Sequence, residues 1–268
     1  MELTLSDLII GRILPYLALT VGIGGLLLRL GLWLRIPVPF RITLYPVPDR
    51  PSGQISRLGR DLFLQTGLFQ SSRRLWLAVW LFHISFFAVV AGHALGFLSP
   101  ENPFRFLGVP NSVGRQLSLV LGNAAGLIMI TTLAALLARR IFLPMARRYC
   151  QWRSYFEPLL LLVIAITGQL LRLGHNVPLL VSTRQYLAGL VGGPAAPLPL
   201  EPLFLAHYLT VLLLVGYLPF SRLVHLLGFF LYRMLLLEPP GVGYSPPKSR
   251  PSATGDDPDK ASDSRNRS

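Results

Sequence analysis

Histidines are the residues of this sequence whose number and placement could support chemistry. Four of the five, His83, His93, His207 and His225, lie in two long apolar stretches, two in each, and His175 follows another stretch in a loop. Ionisable side chains at membrane depth are rare and usually functional. Two stretches with two histidines each therefore indicate a binding site, whereas His175 has no partner at its depth and is not expected to be a ligand.

The apolar stretches indicate a protein of the membrane. Hydrophobic residues make up 52% of the 268 and charged residues 14%, with a mean hydropathy of +0.52, whereas about a quarter of a soluble domain is charged. Five stretches reach the roughly 20 residues that a helix needs to cross a bilayer. They cover about residues 8–34, 75–98, 116–138, 154–174 and 203–231. The sequence therefore predicts an all-α integral membrane protein, a bundle of five transmembrane helices.

The arginines between the stretches predict the orientation of the chain. Residues 35–74 carry seven Arg and residues 139–153 five, whereas residues 99–115 carry two and residues 175–202 one. By the positive-inside rule, the N-terminus then lies outside and the C-terminus in the cytoplasm. We expect a multi-pass protein of the cell inner membrane, in contact with lipid. The net charge of +13 is interleaved with apolar runs, which favours a membrane over nucleic acid as the partner.

A change in composition divides the chain into two parts. Residues 1–238 contain all five stretches and form the predicted membrane domain. Residues 239–268 are rich in Pro, Ser and mixed charge, and they carry too little apolar surface to fold. We expect this second part to be a disordered cytoplasmic tail.

The predicted topology pairs the histidines across the membrane. The second stretch runs outward and the fifth inward, so antiparallel packing places His83 level with His225 near the cytoplasm and His93 level with His207 near the outside. Two facing imidazoles are the axial ligands of a b-type haem, which needs no covalent bond to the chain. The single cysteine, Cys150, excludes a CxxCH haem attachment. The sequence therefore predicts two haem b groups, with these four histidines as iron ligands.

The spacing of the histidines also predicts a distortion of the fifth helix. His207 and His225 are 18 residues apart, which is five turns or about 27 Å of a continuous helix. Only ten residues separate His83 from His93, a rise of about 15 Å. We expect Pro219 to bend the fifth helix and so reconcile the two spacings.

Three residues near the histidines each allow two interpretations. Arg222, one turn before His225, is expected either to pair with a haem propionate or to reach the membrane interface. Arg115 either meets lipid headgroups or contacts a quinone carbonyl near His93. Gly92 either permits close helix packing or leaves room for a porphyrin or a quinone.

Other polar and small residues in the stretches are expected to be structural. Arg12 and Arg172 are predicted to snorkel to the interface. Gly122 and Gly126 are predicted to let two helices approach each other closely.

Two segments carry a resemblance to a known family. The segments LFHISFFAVVAGHALGFLSP (81–100) and LPFSRLVH (218–225) resemble the di-haem cytochrome b, or gamma, subunit of respiratory nitrate reductases. The resemblance implies that the first and fourth of the four histidines hold one haem, and the second and third the other. Three more segments are similar to a relative, the membrane cytochrome b subunit of the complex linked to dissimilatory sulfite reductase. They are PVPFRI (37–42), YFEPLLLLVIAITGQLLR (155–172) and YLAGLVGG (186–193).

The resemblance implies a function as the quinone-reactive, electron-transferring subunit of an oxidoreductase complex. The quinone would be menaquinone or ubiquinone, and the electron partner a cytoplasmic iron–sulfur subunit similar to heterodisulfide reductase. Other membrane subunits would complete a complex linked to sulfite reduction or sulfur oxidation. The haems carry the redox chemistry, so no catalytic side chain is expected.

Two alternatives remain at the level of the sequence. The chain could be the gamma subunit of a true respiratory nitrate reductase, with the same haems and a molybdenum-containing partner. It could also be a haem-free permease or membrane anchor whose histidines form a proton path. Proton paths usually include buried acids as well, and Glu157 is the one acid inside a stretch.

Overall fold

A computed structural model describes residues 5–35, 51–99, 102–144, 151–174, 177–225 and 227–229. No strand occurs among these residues. In chain order the helices are α1 (Ile9–Arg35), α2 (Pro51–Leu64), α3 (Thr66–Ser71), α4 (Arg73–Leu98), α5 (Asn111–Phe142), α6 (Arg153–Leu173), α7 (Val177–Leu190) and α8 (Pro202–Tyr217). The prediction of an all-α protein is confirmed.

Within the described ranges, five helices are long and apolar enough to cross a membrane. They are α1, α4, α5, α6 and α8, the last extended by a 3-10 turn to Phe220. The five predicted stretches are thereby confirmed as helices long and apolar enough to span a membrane, with two differences. The third helix is longer than expected, and α-helix in the fifth stretch is interrupted after Tyr217 and resumes at His225.

Local sequence signals account for several helix ends. Ser72 lies in extended backbone before α4, and its hydroxyl accepts a hydrogen bond from the Leu75 N–H, as expected of an N-cap residue. Pro202 occupies the first turn of α8, where a missing N–H costs nothing. Gly108 adopts φ +74°, which closes the short turn before α5.

The spans pack in an order that differs from their order in the chain. Helix α4 packs against α5, α5 against α6, α6 against α8, and α8 against α1. The buried centre of the bundle combines α5 and α6 through Met129, Leu133, Leu161 and Ala165.

Many apolar side chains on the outer surface are exposed, as on α1, and a bilayer is the environment that covers such a surface. The chain is a multi-pass membrane protein.

Tyrosines fasten the segment between α6 and α8 onto the start of α1. The first turn of α1, Ile9–Ile13, is π-helical, and the Tyr186 hydroxyl of α7 donates to the Gly11 carbonyl at 2.6 Å. The Tyr208 hydroxyl lies 2.7 Å from that of Tyr186. Burial raises the pKa of Tyr186, so this hydroxyl keeps its proton and remains a donor.

Two glycines allow α1 to lie against α8. A Cβ atom at Gly22 would stand 2.7 Å from the Val215 carbonyl oxygen, and one at Gly25 would stand 2.6 Å from Pro219 Cγ. Neither position can hold a larger residue without moving the backbone. Gly22 and Gly25 therefore form a surface of α1 that packs closely against the fifth span.

We expect Gly22→Leu to destabilise the bundle by about 1–3 kcal/mol, because the new side chain overpacks the α1–α8 contact. Thermal unfolding of the detergent-purified chain measures this loss. Gly24→Leu is the matched control, since a Cβ at Gly24 meets nothing within 4 Å. Equal melting temperatures for the two variants would contradict the close approach of α1 and α8.

Candidate functional site: two histidine pairs between the second and fifth spans

The structure brings His83 of α4 next to His225, which follows the end of the fifth span. Their ring centroids are 6.0 Å apart and their planes lie at 86° to each other. A metal–nitrogen bond is about 2 Å long, and the centre of an imidazole ring lies about 1.1 Å from each ring atom when the ring bonds are near 1.33 Å. Two imidazoles that bind one metal ion from opposite sides therefore have ring centroids about 6 Å apart. The separation therefore fits two axial ligands of one ion.

The second pair, His93 and His207, lies at the other end of the same two helices. His93 lies near the end of α4 and His207 near the start of α8. His207 packs against α6, where a Cβ atom at Gly168 would stand 2.9 Å from His207 Cε1. His93 is exposed, and a Cβ at Gly92 meets no atom within 4 Å among the described residues. Space is thus open beside His93, consistent with room for a bound group.

All four histidines have Nδ1 beside an oxygen acceptor. The acceptors are the Val79 carbonyl for His83 at 2.7 Å, the Val89 carbonyl for His93 at 2.8 Å, Thr167 Oγ1 for His207 at 3.0 Å and the Arg222 carbonyl for His225 at 3.1 Å. A carbonyl can only accept, so Nδ1 must carry the proton there. The Thr167 hydroxyl donates to the Val163 carbonyl at 2.8 Å and is free to accept. Each ring therefore presents Nε2 as the metal-binding atom, with Nδ1 fixed by a neighbour.

The two pairs are well suited to a metal that already has ligands of its own. Over the ranges that the structure describes, no group of three or more His, Cys, Asp or Glu side chains could hold a metal ion. Two imidazoles cannot complete the coordination of a bare ion. They do complete a haem, in which the porphyrin supplies the remaining four nitrogens.

His225 lies beyond a break in the fifth span. Helix α8 ends at Tyr217, a 3-10 turn covers Leu218–Phe220, Ser221 is extended (φ −89°, ψ 166°), and a second 3-10 turn covers Arg222–Val224. The expectation of one continuous helix from His207 to His225 is wrong. Pro219 lies at the distortion, as expected, but it contributes to a break rather than a bend.

The chain is similar to proteins of a known family. The model of a family described as nitrate reductase gamma subunit matches residues 61–238, which is more than half of the chain. The chain belongs to this family. The resemblance seen in the histidine-containing segments is thereby confirmed.

Proteins similar to this chain include relatives from archaea and bacteria. The chain is 27% identical over 257 residues to a protein of Archaeoglobus fulgidus named Hdr-like menaquinol oxidoreductase cytochrome b-like subunit, covering 83% of this chain and 77% of that one. A protein of the same name from Archaeoglobus profundus is 28% identical over 80% of this chain and 74% of its own length. The nitrate reductase gamma chain of Bacillus subtilis is 26% identical over 61% of this chain and 62% of its own.

In this member of the nitrate reductase gamma family, Arg29 of the first span donates hydrogen bonds to the backbone at the break before His225. Arg29 Nη1 donates to the Pro219 carbonyl at 2.6 Å and to the Ser221 carbonyl at 3.1 Å. Ser221 is 1% exposed, its hydroxyl donates to the Leu218 carbonyl, and its oxygen accepts from the Leu223 N–H. The carbonyls freed by the break thus have partners, although water is scarce at this depth.

Arg222 is held by the fourth span. Its Nη2 donates to Ser154 Oγ at 2.7 Å, and its Nε lies 4.0 Å from Glu157 Oε2. Its side chain is 53% exposed, against 8% for Glu157. This anchorage differs from both expected roles, propionate pairing and snorkelling, and about half of the Arg222 side chain is exposed.

The prediction that Arg172 snorkels is wrong. Its guanidinium donates to the Ser118 carbonyl on α5 and lies against Gly122, and its buried Nε has no hydrogen-bond partner among the described residues. Gly126 likewise faces Gln169. The two glycines therefore make room for polar side chains of α6, which is a different use of small residues from backbone contact between helices.

The end of α2 is tied onto α4 beside His83. The indole nitrogens of Trp76 and Trp80 donate to the Leu64 and Phe63 carbonyls at 2.7 and 2.9 Å. Gln65 follows in the left-handed region (φ 47°), with its amide 3.4 Å from His83 Nδ1. The connection between the first two spans thus returns to the His83–His225 pair.

Three residues singled out from the sequence are not placed at the histidine pairs by the described structure. Arg115 is exposed near the start of α5, and no contact with either histidine pair is found among the residues described. His175 and Cys150 lie outside the described ranges. Sequence reasoning missed Thr167 and Gly168, which support His207, because neither residue type is distinctive inside an apolar helix.

We expect Arg29→Leu to lower stability by about 1–3 kcal/mol, because two carbonyls at the break lose their donor. The measurement is thermal unfolding of the purified chain in detergent. Arg12→Leu removes the same charge from an exposed position at the other end of α1 and is the control. If Arg12→Leu were as destabilising as Arg29→Leu, closure of the break by Arg29 would be refuted.

Proposed function

We propose that the chain is a di-haem membrane cytochrome b that passes electrons between the quinone pool and a cytoplasmic redox partner. His83 and His225 would hold the inner haem b, and His93 and His207 the outer one. The observation that carries the proposal is the 6.0 Å separation of the His83 and His225 ring centroids, with Nδ1 of each ring engaged and Nε2 left for iron. The names of the relatives, cytochrome b-like subunit and nitrate reductase gamma chain, support it.

When bound, the haems supply reversible one-electron chemistry, and the chain sets the conditions for it. The bis-histidine ligation, the burial and the neighbouring charges determine the redox potentials. Arg222 could pair with a propionate through its open half while Ser154 holds the other side. At the outer pair, the open space beside Gly92 favours room for the porphyrin or for a quinone.

Quinone is the second substrate in this proposal. The Archaeoglobus relatives are named menaquinol oxidoreductase subunits, which favours menaquinone over ubiquinone. We assign quinone to the outer pair, where His93 is exposed and Arg115 is the nearby cation expected from the sequence. Electrons would leave from the inner pair to an iron–sulfur subunit, since the arginine-rich loops offer it a docking surface.

The identity of the complex separates the two leading versions of this function. The "Hdr-like" name of two relatives favours a heterodisulfide reductase-like partner and further membrane subunits, in a complex linked to sulfite reduction or sulfur oxidation. The family match and the Bacillus relative favour a nitrate reductase partner as the alternative. A haem-free proton path has less support, because Glu157 is engaged by Arg222.

Haem content provides the decisive test. A reduced-minus-oxidised spectrum with pyridine haemochrome quantitation is expected to give two haem b per purified chain. His83→Ala and His225→Ala should each remove the inner haem, and His93→Ala and His207→Ala the outer, because one axial ligand is lost in every case. His175→Ala should retain both. A folded chain without haem, or loss of different haems within one pair, would refute the proposal.

The single cysteine provides a test of orientation in the inner membrane. With the N-terminus outside and the C-terminus in the cytoplasm, Cys150 lies in a cytoplasmic loop. A membrane-impermeant maleimide should therefore label the chain in inside-out vesicles and leave it unlabelled in right-side-out cells. Cys150→Ser is the control for background. Labelling from the outer side would reverse the topology and exchange the inner and outer histidine pairs.

A further inference from the structure

Glu157 is the one acid within the five described spans. It lies in the first part of α6 and is 7% exposed. A carboxylate at such a depth is costly unless hydrogen bonds and opposite charge compensate it. Its partners therefore indicate why it is there.

The main partner of Glu157 is the backbone of the turn that carries His225. Glu157 Oε1 accepts a hydrogen bond from the Arg222 N–H at 3.0 Å. The carbonyl of the same residue, Arg222, accepts from His225 Nδ1 at 3.1 Å. Arg222 thus has its N–H fixed by Glu157 and its carbonyl bound by the histidine. A side chain of α6 holds the segment that orients the His225 ring.

The carboxylate of Glu157 lies among cations. Arg222 Nε is 4.0 Å from Glu157 Oε2, and Arg222 directs its Nη2 to Ser154. Arg140 donates to the Ser154 carbonyl and Arg29 to the carbonyls at the break. Glu157 thus supplies a negative charge beside the histidine turn, and its removal makes these surroundings more positive.

We propose that Glu157 is a positioning residue for the inner haem, and that its carboxylate also lowers the redox potential of that haem. The inference rests on the proposed function. An oxidised haem iron carries one more positive charge than a reduced one, so a nearby carboxylate favours the oxidised state. The outer haem, held by His93 and His207 at the other end of the helices, is outside this influence.

Variants separate the positioning role from the electrostatic one. Glu157→Gln keeps an oxygen acceptor for the Arg222 N–H and removes the charge. Glu157→Leu removes both. Arg222→Gln keeps the backbone N–H and removes the opposing positive charge. Glu201→Gln, at an exposed residue before α8, removes one negative charge far from the inner pair and is the matched control.

The experiment is a redox titration of the purified complex followed by haem absorption and low-spin EPR. A His93→Ala variant that lacks the outer haem identifies the inner-haem signals. Glu157→Gln should retain two haems and raise the inner midpoint potential alone, and Arg222→Gln should lower it. Glu157→Leu should reduce inner-haem occupancy or change its EPR signal, with the outer haem intact. Glu201→Gln should leave the inner midpoint unchanged.

The outcomes distinguish this inference from the proposed function. A wild-type chain without haem refutes the proposed function itself. Two haems in the wild type with an unchanged inner midpoint in Glu157→Gln, or an equal shift of both haems, refute the electrostatic role. Full inner-haem occupancy and an unaltered EPR signal in a folded Glu157→Leu variant refute the positioning role. If Glu157→Leu does not fold, the opposite shifts of Glu157→Gln and Arg222→Gln still decide the electrostatic part.

Discussion

The break that follows the fifth span at Ser221 is the constraint on which the His83–His225 end of the bundle depends. Breaking a helix inside a membrane frees carbonyls that water cannot reach, so each needs a donor from the protein. Arg29 provides it from the first span, and Glu157 receives the N–H that follows the break. Three helices distant in sequence therefore meet at one point, and His225 takes its position from all of them.

The two histidine pairs are built in different ways. His207 lies within regular helix and is supported by Thr167 and Gly168 of the neighbouring span. His225 lies on a short turn whose geometry depends on hydrogen bonds from other helices. On the proposed function, the outer haem is held by rigid helices, whereas the inner haem is held by a turn that responds to nearby charge.

Much of the fold could be predicted because the membrane restricts it. Length and hydropathy located the five helices, and the opposite directions of the second and fifth place His83 beside His225. The break at Ser221 could not be predicted, because its carbonyls are bound by Arg29, which lies 190 and 192 residues away in the chain. Arg172 was misjudged for a related reason, since a cation near a helix end can turn inward only where a residue such as Gly122 leaves space.

The closure of the break also has a consequence for biogenesis. The turn before His225 is complete only once α1 and α6 are in contact with the end of the fifth span, whereas the surroundings of His207 need only α6 and α8. During membrane insertion, the helices of the outer site can associate before the last residues of the fifth span reach their place. On the proposed function, the haem held by His83 and His225 would consequently be inserted last, so that its incorporation would report completed assembly.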